Sequence, residues 1–411
     1  MAPRSIPDCR GNAVTNATPA AIAGLDRFGD ILLRRGAGAE LIFDTLAEAP
    51  DCPLGFAYAA ALHLLGDTRA GVEEAGRLLT RAERLLRQAT PREILFVQAL
   101  RAIAEDRPHA ATERFAALAR TAPRDLPAAY IAHLHLLNHG RMAEMLDLAR
   151  LIHEANPGDG FALGMLSFAL DQNDEACAAE TAGLAACALD DRMPWAHHAL
   201  AHAYDSLGRV EEGLRFMELR SPAWEGCGSS MYSHNWWHAM LLRLRLGRQD
   251  EVLESYDAHI APQAPHSTSS FVNAVSLLAR LELRGLDVGE RWQPLADLAE
   301  PRVGEHVLAF LDIHYALALG RAGRIASVRT LARSARRYGA AASPQIQPVW
   351  ESAGVPLIEA VSSFGLGNIS GSLEAFAAAA GNERLVGGSN VQRGLFAELA
   401  TGARAAFRPA A

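Results

Sequence analysis

The sequence predicts an all-α fold built as a solenoid of antiparallel helix hairpins. Three observations carry that expectation. The turn-forming residues Asp106, Gly140, Asp174 and Gly208 recur every 34 residues, each closing one amphipathic run and opening the next. Half of the chain is hydrophobic but only 7% is aromatic, and Ala and Leu fill the periodic stretches, a composition suited to closely packed helices rather than sheets. At 411 residues the chain exceeds one ordinary core, and a solenoid absorbs such length by adding hairpins that lean on their neighbours.

A 34-residue period is that of tetratricopeptide (TPR) arrays, so the expected architecture is a TPR-like superhelix with a concave groove. Taken in order, residues 1–19 are rich in Pro, Asn and Thr and read as a flexible leader, and 20–411 reads as a single solenoid. Its first hairpins are irregular. Regular repeats span about 92–261, and four equal units stand out at Arg92–Asp125, Leu126–Asp159, Gly160–Met193 and Pro194–Cys227. In the last of these Leu200, Ala201, Tyr204 and Gly208 fall at the large, small, large and turn places of the repeat, and Gly213 takes the small place on its second helix. Beyond Ser221 the spacing lengthens, with turn glycines Gly247, Gly285 and Gly323 and long loops at Ser221–Ser233 and Ala261–Ser270, and longer-looped repeats fill 262–340. Pro344, Pro348 and Pro356 predict a long loop over 340–356. A C-terminal hairpin and a capping helix entered through Gly387-Gly388-Ser389 complete the chain over 357–406.

Composition removes several kinds of chemistry. All 39 basic residues are arginine, so a Schiff base, a lysine general base and a phosphate-loop lysine are excluded. A net charge of −8 argues against nucleic acid or an anionic membrane as partner. Five cysteines without a C-x-x-C pair suggest neither a disulfide framework nor a thiolate zinc finger, and they fit a reducing, cytoplasmic setting. No signal-peptide pattern or membrane-length apolar run occurs. Gly365-Leu366-Gly367-Asn368-Ile369-Ser370-Gly371 lacks both the spacing and the preceding strand of a dinucleotide loop and reads as helix punctuation.

The polar groups of interest lie on one stripe. With Leu200, Ala201 and Tyr204 facing neighbouring helices, Trp195, His198, His202 and Asp205 fall on the stripe that lines the groove in TPR proteins. His198 and His202 are four apart and stack one turn above another, as do His234 and His238 in the next repeat beside Asn235, Trp236 and Trp237. Alignment on the turn glycines sets Ser276 and His314 level with His238. Imidazole can change charge near neutrality, donate and accept hydrogen bonds, or bind a metal. Against a metal, the helical zinc-hydrolase motif carries Glu where this chain has Asn235, and no clear carboxylate partner is apparent. The tryptophans suit packing as well as a ligand wall, and His133, His135, His139 and His153 read as structural residues off the stripe. Cys227, in the loop before the His234 helix, offers a conceivable Cys–His nucleophile.

The run Trp195-Ala196-His197-His198, Ala201-His202, Gly208-Arg209, Glu212-Gly213, Phe216-Met217, Trp224, Cys227, His234-Asn235-Trp236-Trp237-His238 and Tyr256-Asp257-Ala258-His259-Ile260 resembles the tetratricopeptide repeat protein 38 family. The similarity continues through Ser276-Leu277-Leu278, Asp287-Val288-Gly289, His314-Tyr315-Ala316-Leu317, Ala322-Gly323-Arg324 and Gly387-Gly388-Ser389-Asn390-Val391-Gln392-Arg393. It implies an all-helical, TPR-like protein and no particular mechanism. The resemblance also marks departures, since the family pattern has Asp at the place of Asn273, His at Asn390 and Asp at Gly394.

Together these readings predict a small polar ligand in a His/Trp-lined pocket. His198, His202, His234 and His238 supply acid, base or electrophilic groups, while Trp195, Asp205, Asn235, Trp237, Asn273, His314, Asn390, Gln392 and Arg393 shape the pocket. Proton transfer, hydration, elimination or hydrolysis needs no organic cofactor; a divalent metal on the four histidines is the one cofactor the sequence could accommodate. The alternative is a scaffold holding a peptide in the groove.

Overall fold

The computed structural model describes residues 5–407. Apart from one two-stranded hairpin the described chain is helical, and it is a TPR-like α-solenoid of successive hairpins. Its contacts resolve into two compact units where the sequence expects one array. Residues up to Leu136 with Arg141–Asn235 form the first, and Leu137–Gly140 with the chain from Trp236 form the second.

In the first unit the helices are α1 (Pro19–Arg34), α2 (Leu41–Glu48), α3 (Pro53–Leu64), α4 (Arg69–Leu85), α5 (Pro91–Ala104), α6 (Pro108–Thr121), α7 (Leu126–Asn138), α8 (Met142–Ala155), α9 (Gly160–Asp171), α10 (Ala176–Leu189), α11 (Pro194–Ser206), α12 (Val210–Arg220) and α13 (Ser229–Arg245), the last continuing into the second unit. Four turns share one geometry. Asp106, Gly140, Asp174 and Gly208 all adopt left-handed backbone with φ between 57° and 69°. At Gly208 the amide donates to the Asp205 carbonyl and the Arg209 amide to that of Tyr204, a Schellman closure repeated at the other three turns. The 34-residue period is thus a period of helix stops. First helices stack on one another, α9 against α11 and α3 against α5, with second helices behind them. Gly183 on α10 permits close approach, because a Cβ there would stand 2.7 Å from Leu200 Cγ.

The leader is tied down rather than loose over its described part. Ser5–Pro7 (β1) and Ala13–Thr15 (β2) pair antiparallel, and Val14 and Thr15 are buried. Glu93 does most of the tying: its carboxylate accepts from the Thr15 amide at 2.9 Å and hydroxyl at 2.7 Å while also closing the capping box of α5 with Thr90. Arg92, itself buried against Asp125 at 2.7 Å, donates to the Ala13 carbonyl. These polar anchors leave no periodic apolar signal in the leader.

Helix α1 is not a further stacked layer. It lies across first helices of the array, with Phe28 against Tyr58 of α3, Gly29 against Pro127 of α7, Arg34 over Phe161 of α9 and paired with Asp190, and helix contacts to α11. The Arg35–Ala37 segment that follows bridges to the loop before α13, where the Gly228 amide donates to the Arg35 carbonyl at 2.8 Å. Helix α1 therefore covers part of the face formed by the first helices of this unit.

The second unit contains α14 (Gln249–Ser255), α15 (Thr268–Leu283), α16 (Trp292–Ala299), α17 (Ala309–Arg321), α18 (Ile325–Ala341), a single turn α19 (Gln347–Val349), α20 (Val355–Gly365), α21 (Ile369–Ala379) and α22 (Asn390–Ala406). Its core gathers Trp237, Trp292 and Trp350 with the aliphatic faces of α15, α17 and α20. The long loop expected over 340–356 is mostly helical, because α19 passes through a π turn at Trp350–Gly354 into α20. Pro348 and Pro356 sit in the first turns of α19 and α20, where a missing N–H costs little. The expected loops Ser221–Ser233 and Ala261–Ser270 likewise contain short helical turns at Ser221–Trp224 and Ala261–His266. Helix α22 is fastened by Arg280 of α15, which bonds Glu398 at 2.7 Å and the Val391 carbonyl at 2.9 Å.

Candidate functional site

First helices of successive repeats bring Tyr130 and His133 (α7), Phe168 and Asp171 (α9), Trp195, His198 and His202 (α11) and His234 (α13) into one patch of the first unit. All but His234 are buried. Rings touch in sequence: Tyr130 meets Trp195 edge-on at 5.2 Å, Phe168 lies 5.0 Å from His198 and 5.1 Å from His202, and His198 is 4.8 Å from both His202 and His234. The Nε2 atoms of His198 and His234 are 3.2 Å apart, so in a direct hydrogen bond one ring carries the proton and the other accepts it.

A carboxylate partner missed by sequence reasoning is present. Asp171 Oδ2 lies 3.4 Å from His202 Nδ1, long for a hydrogen bond but within ion-pair range, and both residues are buried. Ser206 Oγ donates to Asp171 Oδ1 at 2.7 Å and Gln172 Nε2 to Oδ2 at 2.9 Å. Burial pushes the Asp171 carboxyl up, but the hydrogen bonds from His202, Ser206 and Gln172 outweigh it and hold it below the usual carboxylate range. A signal for it existed, since Asp171 stands three residues before the turn at Asp174 as Asp205 stands three before Gly208. The earlier repeat supplies the carboxylate; Asp205 itself is only half-buried.

His133, expected off the stripe, lies inside the patch against Phe168 at 5.6 Å and Trp195 at 6.0 Å. Burial lowers its pKa to about 3. Neither of its ring nitrogens has a hydrogen-bond partner among the described residues, nor does the Trp195 indole nitrogen. Buried polar atoms of this kind are uncommon and mark places where water or a ligand completes the bonding. His198 is pushed well below the ordinary imidazole value, by burial first and then by His234, His202 and Arg35. Arg35 itself stands 5.8 Å over the Tyr130 ring and donates to Ser230 Oγ at 2.8 Å, with no ion pair among the described residues.

Other expected residues have local roles of their own. Asn235 is buried and donates to the Pro194 carbonyl at 3.2 Å, pinning α13 to the start of α11. His238 follows His234 by one turn of α13. Trp237 belongs to the core of the second unit, with the Arg280 guanidinium 5.7 Å over its ring. Asn273 is fully buried on α15. His314 is a satisfied core histidine, its Nδ1 bonded to the Phe310 carbonyl at 2.8 Å and its pKa lowered to about 4 by burial. Gln392 closes the capping box of α22 with Ser389, and Arg393 bonds the Gly387 and Gly388 carbonyls and Asn390 Oδ1. These last three fasten the start of α22.

Among the described residues two groups have metal-like donor sets. His198, His202 and His234 each bring a ring nitrogen within 4.8 Å of the others. Cys187, Asp191 and His197 also converge, but His197 accepts from the Trp224 indole on Nδ1 and bonds the Asp191 carbonyl through Nε2, so both its nitrogens are used. Burial pushes the Cys227 thiol up to about 12, which disfavours the thiolate that a nucleophile needs.

No family model matches the chain. Among solved structures it is similar to a human IFIT1 dimer with m7Gppp-AAAA, at 12% identity over 86% of this chain and 90% of that one with a TM-score of 0.38. It is also similar to Naa15/Naa10 bound to HypK-THB, at 12% identity over 93% of this chain and 63% of that one with a TM-score of 0.28. The likeness is one of helical-repeat fold alone. None of the described helices is long and apolar enough to cross a membrane.

Proposed function

We propose that the first unit binds a small polar, anionic molecule on its inner face, with the Asp171–His202 pair as the acid–base element and Arg35 as the electrostatic anchor. One observation carries the reading: polar side chains of three successive first helices are buried together, and the ring nitrogens of His133 and Trp195 have no partner among the described residues. A carboxylate beside Nδ1 orients an imidazole and fixes the tautomer in which Nε2 is the accepting nitrogen, the arrangement a general base needs. Proton transfer or hydrolysis fits that pair. The motif runs from Trp195 to Arg393 support placing the chain near the tetratricopeptide repeat protein 38 family, which adds architecture only.

The test is retention of a co-purifying molecule. Native mass spectrometry of the wild type is expected to show a bound small species that is absent from His198→Ala and His202→Gln, with helical content unchanged. Loss of the species only when the fold is lost would instead make the histidines core residues.

A second reading, a protein-binding scaffold, is favoured by Leu184 and Leu189 on α10 and Leu219 on α12, which are 44%, 55% and 75% exposed. It places the partner on second helices, because α1 already lies along the first. An extended peptide in the inner groove of this unit is disfavoured for the same reason.

A further inference from the structure

The histidine patch also has the geometry of a metal centre. Four ligands around Zn²⁺ at about 2.0–2.1 Å stand about 3.3–3.4 Å apart along each tetrahedral edge. The Nε2 atoms of His198 and His234 are 3.2 Å apart, close to that edge. The other separations within the trio reach at most 4.8 Å, a difference that small χ rotations of long imidazole side chains close.

Helix spacing supplies two of the donors as a pair. His198 and His202 lie four apart on α11, and His234 on α13 is the third. An i, i+4 pair of histidines projects two nitrogens from adjacent turns of one face, which is how helices chelate a transition metal. The surroundings have what a bound imidazole needs behind it. Asp171 faces the Nδ1 of His202, away from the proposed ligand atom, and is itself held by Ser206 and Gln172. Such carboxylate–histidine–metal relays fix the tautomer and raise ligand basicity.

The geometry points to a divalent transition-metal site, Zn²⁺ by donor type, formed by His198, His202 and His234 of the first unit, with the fourth position left to water or substrate and with Asp171 as the positioning residue behind His202. An all-imidazole set suits Zn²⁺ and its chemical neighbours and disfavours Mg²⁺ and Ca²⁺, which take oxygen. This deepens the reading of the same patch: a metal beside Arg35 would polarise an anionic substrate and activate a water for the hydrolysis suggested above.

The experiment uses the full chain made without a polyhistidine tag, stripped with chelator and titrated with Zn²⁺ and with Co²⁺. One equivalent of each is expected, with the visible d–d bands of tetrahedral Co²⁺. His202→Gln and His234→Ala should each weaken binding by more than about 100-fold, and Asp171→Asn by about 10- to 100-fold. Restoration of the Co²⁺ spectrum in His234→Gly by added imidazole separates ligand loss from misfolding. Absence of stoichiometric binding by the intact chain, or binding that His202→Gln and His234→Ala leave unchanged, overturns the site. A protein that retains an organic molecule but binds no metal loses this inference alone and keeps the small-ligand reading.

Discussion

At the scale of single residues, buried neutral histidines set how stability responds to acid. His133 is lowered to about 3, and His197 and His314 to about 4, in each case chiefly by burial. An unfolded chain takes up these protons as pH falls through about 6.5, whereas the native state resists until the lower values. Their stabilising effect is therefore complete above pH 6.5 and is lost on acidification toward 4. Each such histidine contributes a slope of about 1.4 kcal/mol per pH unit within that window. Melting temperature should fall steeply between pH 6 and 5, and His133→Phe, which keeps a ring against Phe168 and Trp195, should flatten the dependence by one proton. Identical slopes for wild type and variant would mean that His133 is solvated. Arg92 is governed by a related cost: it is buried with Asp125 and also holds the leader, so Arg92→Met should destabilise the first unit by about 3–5 kcal/mol by stranding a carboxylate. Urea denaturation measures it, and a loss under about 1 kcal/mol would show that Asp125 is readily solvated.

At the scale of elements, the stops were easier to read than the contacts. Asp106, Gly140, Asp174 and Gly208 were legible because a left-handed turn admits few residue types, and the same demand gives unequal penalties at different glycines. Gly208 has φ +69° and open space where a Cβ would go, so Gly208→Ala should cost about 1–2 kcal/mol. Gly387 has φ 81° and ψ −161°, and a Cβ there would collide with the Asn138 carbonyl. Gly387→Ala should cost about 3 kcal/mol or more, because it adds that collision to backbone strain in a region reserved for glycine. Equal shifts in the two denaturation midpoints would refute the close approach. Legibility of the site followed the same logic. His198, His202 and His234 could be placed from the phase of one repeat, since a helical stripe is a local property. Asp171 and His133 were missed because each acts across repeats, and the capping role of Gln392 was missed because a capping box and a binding motif use the same side chains.

At the scale of the molecule, α1 changes what kind of array the first unit is. In an open solenoid each repeat touches only its neighbours, so damage to one end decays with distance along the stack. Here α1 reaches α7, α9 and α11, and the Arg35–Ala37 segment pairs with residues just before α13. Nothing in the amphipathic pattern of α1 could reveal this, because periodicity tells which face of a helix is buried but not against what. The consequence is long-range coupling. Removing residues 1–36 should lower amide protection in α11 and α12, some 160 residues away in sequence, at least as much as in the adjacent α3 and α4. Hydrogen exchange read by mass spectrometry distinguishes the two behaviours. A loss of protection confined to α2–α4 would return the first unit to a simple stack, with α1 as a terminal cap. Loss reaching α11 would mean that the histidine patch is held by the N-terminal helix, so ligand or metal affinity should fall in the same truncated protein with every histidine still in place.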